Sequence, residues 1–194
     1  MKLSSPTYHQ MNKLSLNYRE LFVEQKIGRF IYQSLPDPVA ELIVICIGSD
    51  RSTGDALGPI VGSLLTKRSH SRFFVYGTLE KTIHALNLVS QLDYIKQKHK
   101  NRFIIAIDAC LGRSQSIGKI TASTGPLKPG LAMNKKLPEV GDLNITGIVN
   151  VSSSMGYLTL QNTRLHLVTQ QAKVISRALS YSEYLLTESK QISQ

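Results

Sequence analysis

Two aspartates, Asp55 and Asp108, carry the chemistry that this sequence offers most directly. Asp108 closes the apolar run Phe103-Ile104-Ile105-Ala106-Ile107. An acid at the end of a buried strand loses its hydration, and a partner or ligand must compensate. Asp55 ends the segment Gly48-Ser49-Asp50-Arg51-Ser52-Thr53-Gly54, four residues before Pro59. Proline is tolerated only in the first turn of a helix, so Asp55 falls near a helix start. Two facing carboxylates push each other's proton affinities apart, leaving one as a general acid and the other as a base for water. A plainer reading of Asp55 stands beside this one, in which its side chain caps the helix by accepting from exposed backbone amides.

Other chemistries fit less well. The glycine-containing loop after Ile47 has neither the G-x-x-x-x-G-K-[ST] of a phosphate loop nor the G-x-G-x-x-G of a dinucleotide fold. No G-x-S-x-G elbow exists for a serine hydrolase, and Ser152-Ser153-Ser154 has no histidine close in sequence. Cys110 lies two residues beyond Asp108, where a neighbouring acid disfavours its thiolate; it reads as a buried structural thiol. Glu80 and His84 follow the second strand on the same edge and are candidates for a third group, against the plainer readings of helix cap and solvent-facing pair. His9, His70, His99 and His166 form no metal-ligand spacing.

The elements that must position the acids follow from the hydrophobic pattern. Leu42-Ile43-Val44-Ile45-Cys46-Ile47 is a continuous, largely β-branched run closed by Gly48, which predicts a strand buried on both faces. Asp55 to Lys67 changes to helical spacing, with Leu57, Ile60, Val61, Leu64 and Leu65 on one side. A second strand at Phe73-Phe74-Val75-Tyr76-Gly77, a helix from Ala85 to Lys98 and a third strand at 103–108 continue the alternation. Strand and helix in turn predict right-handed crossovers and a parallel, doubly covered sheet. In such sheets ligands bind at the carboxyl ends of strands where strand order reverses. If the first and third strands are neighbours, their backbones lie about 4.8 Å apart and both acids reach one metal, water or shared proton.

The fourth strand, at 118–123, follows after only about ten residues, fewer than a parallel crossover needs, so it runs antiparallel. Residues 125–142 hold three prolines and read as mostly loop, with room for one short helix. A fifth strand at 143–151 and one long helix from Tyr157 to Leu185 close the domain. Residues 1–40 are expected to form a helical extension on its flank, with Leu14, Tyr18, Leu21, Phe22, Gln25 and Arg29 at helical intervals, before Pro36-Asp37-Pro38 breaks the chain. Residues 41–194 form the α/β domain.

A chain of 194 residues is long enough to bury one core without staples. Hydrophobic residues at 42% and charged residues at 19% exclude wholesale disorder. The longest apolar run is too short to span a bilayer, and the polar start at 1–10 carries no secretion signal. Two cysteines, Cys46 and Cys110, make no disulfide framework, which fits a reducing, cytoplasmic setting. The net charge of +10 raises an anionic partner such as nucleic acid. The basic clusters at 67–72 and 96–102, however, fall at helix ends, where cations face the negative pole of the dipole, and no aromatics interleave them for base stacking.

Thr53-Gly54-Asp55-Ala56-Leu57-Gly58-Pro59, Ala106-Ile107-Asp108-Ala109 and Thr124-Gly125-Pro126-Leu127-Lys128-Pro129-Gly130 together resemble the bacterial sporulation protein YyaC family. That family is itself similar to the germination protease that degrades small acid-soluble spore proteins. Tyr76 to Glu80, His84 to Leu88 and Leu160 to Leu165 strengthen the likeness, which spans about residues 42 to 170. It implies a phosphorylase/hydrolase-like three-layer αβα sandwich with a mixed five-stranded sheet, order 2-1-3-5-4, the fourth strand antiparallel. It also implies an aspartate-dependent peptidase of sporulating cells, with Asp55 and Asp108 matching the essential acids of the germination protease. In the more distant hydrogenase maturation proteases the corresponding acids bind a metal with a histidine, so a divalent metal bridging Asp55 and Asp108 is the cofactor this likeness allows; Lys128 stands near where that histidine is expected. Arg51, Glu80, His84 and Lys128 are the expected substrate-binding residues, with Arg51 or Lys128 steadying a developing oxyanion. The expected partners are a protein or peptide substrate and, less favoured, nucleic acid; self-association is left open. A non-catalytic sporulation factor on the same fold is the rival reading.

Overall fold

The computed structural model of the chain describes residues 12–38, 40–68, 71–130 and 137–191, with side chains to residue 189. The polar start at 1–10, His9, His70 and the middle of the 125–142 loop lie outside the described residues. Among the described residues the chain runs β1 (Lys13–Asn17), α1 (Val23–Ser34), β2 (Glu41–Cys46), α2 (Leu57–Thr66), β3 (Phe73–Tyr76), α3 (Leu88–Lys98) and β4 (Arg102–Gly112). It continues with β5 (Lys119–Thr124), β6 (Leu143–Val151), α4 (Gly156–Gln161) and α5 (Leu165–Gln191).

The β2 run is apolar throughout because both of its faces are covered. Leu42, Val44 and Cys46 join the core beneath α1, α2 and α5, while Ile43 and Ile45 join Leu88, Leu92 and Ile95 of α3 on the other side. The molecule is thus a three-layer αβα sandwich, as its strand and helix alternation predicts. β3, β2, β4 and β6 are parallel neighbours, and β5 pairs antiparallel with β6.

Four sequence expectations are corrected. The sheet has six described strands, order β1-β5-β6-β4-β2-β3, so five of them keep the expected order and β1 is added outside β5. The supposed helix from Leu14 to Arg29 is a strand, a turn and a later helix. Lys13-Leu14-Ser15-Leu16-Asn17 alternates with period two, and the Asn17 N–H donates to the Glu20 carboxylate at 2.7 Å to close the turn. Phe22 then holds a φ of 60°, outside the helical region, so α1 begins only at Val23. β4 does not stop at Asp108 but pairs on with β6 to Gly112, because a backbone ladder needs a neighbouring strand and not an apolar side chain. The single helix expected from Tyr157 is two. Asn162 donates its side-chain amide to the Leu158 carbonyl at 2.9 Å and Thr163 its hydroxyl to the Thr159 carbonyl at 2.9 Å, ending α4 before α5 starts.

Candidate active site

The crossover from β2 through α2 runs on one face of the sheet, and that from β3 through α3 runs on the other, so the crevice opens between β2 and β4. The last β2–β4 pair is Cys46 with Ile107. Asp108 is therefore the first β4 residue with no β2 partner, and it is buried in register with Thr146 of β6. Gly48 turns the chain away from β2 with a φ of 141°, and a Cβ there would sit 1.9 Å from the Asp55 carbonyl oxygen. This tight loop returns Asp55 to the crevice. Ala56, not Asp55, is the residue preceding α2, and it makes no side-chain cap, so the capping reading of Asp55 is set aside.

Both acids line one cavity of about 740 Å³. Burial raises the Asp55 pKa to about 6, against a lowering from the Ser49 N–H and from His84. Burial also raises Asp108 well above the usual carboxylate range, and the charge on Asp55 raises it further, against a lowering by the Ala109 N–H, which donates to its Oδ1 at 2.8 Å. The two groups thus feel each other, and burial together with the Asp55 charge favours the protonated form of Asp108.

The remaining expected residues separate by position. His84 lines the cavity, and its Nδ1 accepts from the Leu86 N–H at 3.2 Å. Arg51 and Lys128 line the mouth, Arg51 exposed and Lys128 paired with Glu139 at 3.2 Å. Glu80 is exposed in the turn after β3 and does not line the cavity. Cys110 does line it, and burial, offset by the Thr146 hydroxyl, pushes its thiol up to about 11, so it is a poor nucleophile at neutral pH. Among the described residues no three of His, Cys, Asp or Glu are grouped to hold a metal ion. Asp55 and Asp108 are the two carboxylates of the cavity that would face a divalent cation there.

Sequence reasoning missed Thr146, Ser52 and α4. Thr146 is an ordinary strand residue until β6 is known to lie beside β4. Ser52 is buried with an unpaired hydroxyl beside the cavity wall. α4 contributes Tyr157 and Leu160 to the wall and is tied to the Asp55 loop by the Gly54 N–H, which donates to the Leu160 carbonyl at 2.8 Å.

A family model described as a protein of unknown function, DUF1256, matches residues 15–178. The uncharacterized protein YyaC of Bacillus subtilis (strain 168) is 54% identical over 142 residues, which is 73% of this chain and 69% of that protein. The resemblance read from the motifs is borne out by this match. Among solved structures, the NiFe hydrogenase maturation protease HycI from Thermococcus kodakarensis KOD1 aligns with a TM-score of 0.40 at 13% identity, over 73% of this chain and 93% of that one.

Proposed function

The chain belongs to the DUF1256 family, described as proteins of unknown function, and from the geometry of its acid pair we propose that it hydrolyses peptide bonds. One observation carries this reading: two carboxyls at the switch point of the sheet share a cavity, and burial and mutual repulsion set their proton affinities apart. Asp55, whose pKa burial raises to about 6, acts in its ionised form as the base, and Asp108, whose pKa burial and the Asp55 charge raise well above the usual range, acts in its protonated form as the acid. A water held between them gives its proton to Asp55 as its oxygen attacks the peptide carbonyl carbon, while Asp108 protonates the carbonyl oxygen. On collapse, the carbonyl oxygen returns its proton to Asp108, Asp55 passes its proton to the leaving amine, and the C–N bond breaks. The pair then stands as it began. Arg51 and Lys128, at the mouth, contact the entering polypeptide rather than the carbonyl oxygen, which Asp108 protonates.

The finer form of the proposal is a germination-protease-like peptidase acting in the cytoplasm of the sporulating cell or forespore. Its support is the motif resemblance around Asp55 and Asp108. The test incubates purified protein with small acid-soluble spore proteins and compares wild type with Asp55→Asn and Asp108→Asn. Loss of one member of an acid–base pair is expected to slow cleavage by a factor of about 100 or more. Equal cleavage by all three proteins removes the aspartates from the mechanism. No cleavage by any, together with salt-sensitive binding of DNA, favours a non-catalytic factor instead.

A further inference from the structure

Two large apolar side chains that line the acid cavity also stand in solvent, Leu86 at 89% exposed and Tyr157 at 52%, and the exposed Met155 (66%) and Leu158 (49%) are near Tyr157 in the chain. Single exposed apolar residues are ordinary, but Leu86 and Tyr157 open on one cavity. Leu86 and Tyr157 also line the cavity itself, so the rim and the cavity wall are one surface. Leu86 follows β3 and the other three follow β6, the strands that flank β2 and β4 and hence the acid pair.

The rim is held in place from behind. α4 turns Leu160 inward, and its carbonyl groups are bound by the Gly54 N–H at 2.8 Å and by the Asn150 side-chain amide, on Thr159, at 3.2 Å. Gln161 donates to the Tyr157 hydroxyl at 2.9 Å, one turn along α4. An apolar group carried on an anchored helix costs less entropy on binding than one on a free loop.

We propose that this rim docks an extended segment of the substrate polypeptide that carries large apolar side chains on either side of the bond to be cut. The inference deepens the peptidase reading and rests on it. The surface divides as such a segment does: apolar groups at both sides of the mouth, and between them a polar floor of Asp55, Asp108 and the Ser49 to Ser52 loop that suits an amide backbone. A lipid chain offers nothing polar to that floor.

The experiment measures fluorescence anisotropy with full-length Asp108→Asn protein and two fluorescein-labelled decapeptides of equal charge, one with two leucines flanking its centre and one with serines in their place. The leucine peptide is expected to bind at least tenfold more tightly. Adding Leu86→Ser and Tyr157→Ser is expected to weaken it at least fivefold with an unchanged unfolding temperature, since both side chains are exposed. Equal binding of the two peptides, or unchanged affinity in the serine variant, overturns the proposal. So does concentration-dependent dimerisation abolished by the same substitutions, which assigns the rim to a second copy. Leucine-dependent binding with no hydrolysis by the wild type keeps the rim and removes the peptidase chemistry; hydrolysis indifferent to the rim substitutions does the reverse.

Discussion

A carboxyl group inside a protein must find a partner for its charge or keep its proton, and the two acids of the crevice divide these options. Burial and the charge of Asp55 hold the Asp108 carboxyl well above the usual carboxylate range, while burial pushes Asp55, less enclosed and beside His84, up to about 6. Because 6 lies above the 3.8 of the unfolded chain, the folded state binds the Asp55 proton more tightly. The stability this contributes is fully present below pH 3.8 and is lost as pH rises through 6. Asp55→Asn abolishes that loss. The variant is therefore expected to match wild type in urea unfolding at pH 3.5 and to exceed it by on the order of 2 kcal/mol at pH 8. A difference that does not grow between the two pH values contradicts the raised affinity. The same group sets the acid limb of catalysis: kcat/KM is expected to rise about tenfold per unit below pH 6 and to level above it, as a base that must be ionised requires. A profile flat from pH 4 to 8 rules Asp55 out as the base. Both acids were legible in the sequence, Asp108 because it interrupts the apolar run of β4 and Asp55 because it stands in the glycine-containing loop just ahead of the helix start that Pro59 marks. Thr146 and Ser52 were not, since nothing local distinguishes them and only strand order brings them to the cavity.

Among the elements, α2 is the one whose seat the site depends on, because the Asp55 loop leads directly into it. Gly58 and Gly62 let it lie against backbone: a Cβ on Gly58 would meet the Ile47 carbonyl oxygen at 2.2 Å, and one on Gly62 the Gly77 carbonyl oxygen at 2.0 Å. In a solvated helix Gly→Ala stabilises by about 1 kcal/mol. Here Gly62→Ala is expected to destabilise by about 2 to 4 kcal/mol, because the obstacle is main chain that no rotamer change can clear. Thermal unfolding decides: a melting temperature at or above that of wild type refutes the close approach. The strands were readable for a related reason. β2 and the first half of β4 are apolar on both faces because helices cover both, and such runs stand out in any sequence. β1 was misread since Leu14, Tyr18, Leu21 and Phe22 happen to fall at helical intervals, although the Leu14/Leu16 alternation of an edge strand was present. The break between α4 and α5 carries neither proline nor glycine. It is made by side-chain bonds of Asn162 and Thr163 that become favourable only once Asn150, which donates to Thr159 and Thr163, is brought alongside.

For the whole molecule the question is whether the segment before Glu41 is an appendage or part of the fold. β1 pairs along its full length with β5, from Lys13 opposite Ser123 to Asn17 opposite Lys119, and covers an edge otherwise open. α1 buries Val23, Ile27, Phe30 and Ile31 in the same core as Val174, Ile175, Ala178 and Leu179 of α5. Gly28 lies so close to α5 that an added Cβ would sit 2.5 Å from the Ala178 carbonyl oxygen. Burying the four large side chains of α1 is worth about 1.5 to 3 kcal/mol each, a sum comparable with the 5 to 15 kcal/mol that separates a folded domain from its unfolded chain. A protein beginning at Glu41 would expose that face of α5 and the edge of β5 together. It is expected to show no cooperative urea transition, or one with a midpoint reduced by more than half, and to aggregate at micromolar concentration, whereas the full chain unfolds in one step. An unchanged midpoint and slope for the shortened chain would make β1 and α1 dispensable to the fold. Because the acid pair sits where β2, β4 and the loop into α2 meet, and α2 shares one core with α1 and α5, loss of this packing is expected to remove the activity with the structure, so the cavity and the N-terminal strand and helix stand or fall as one unit.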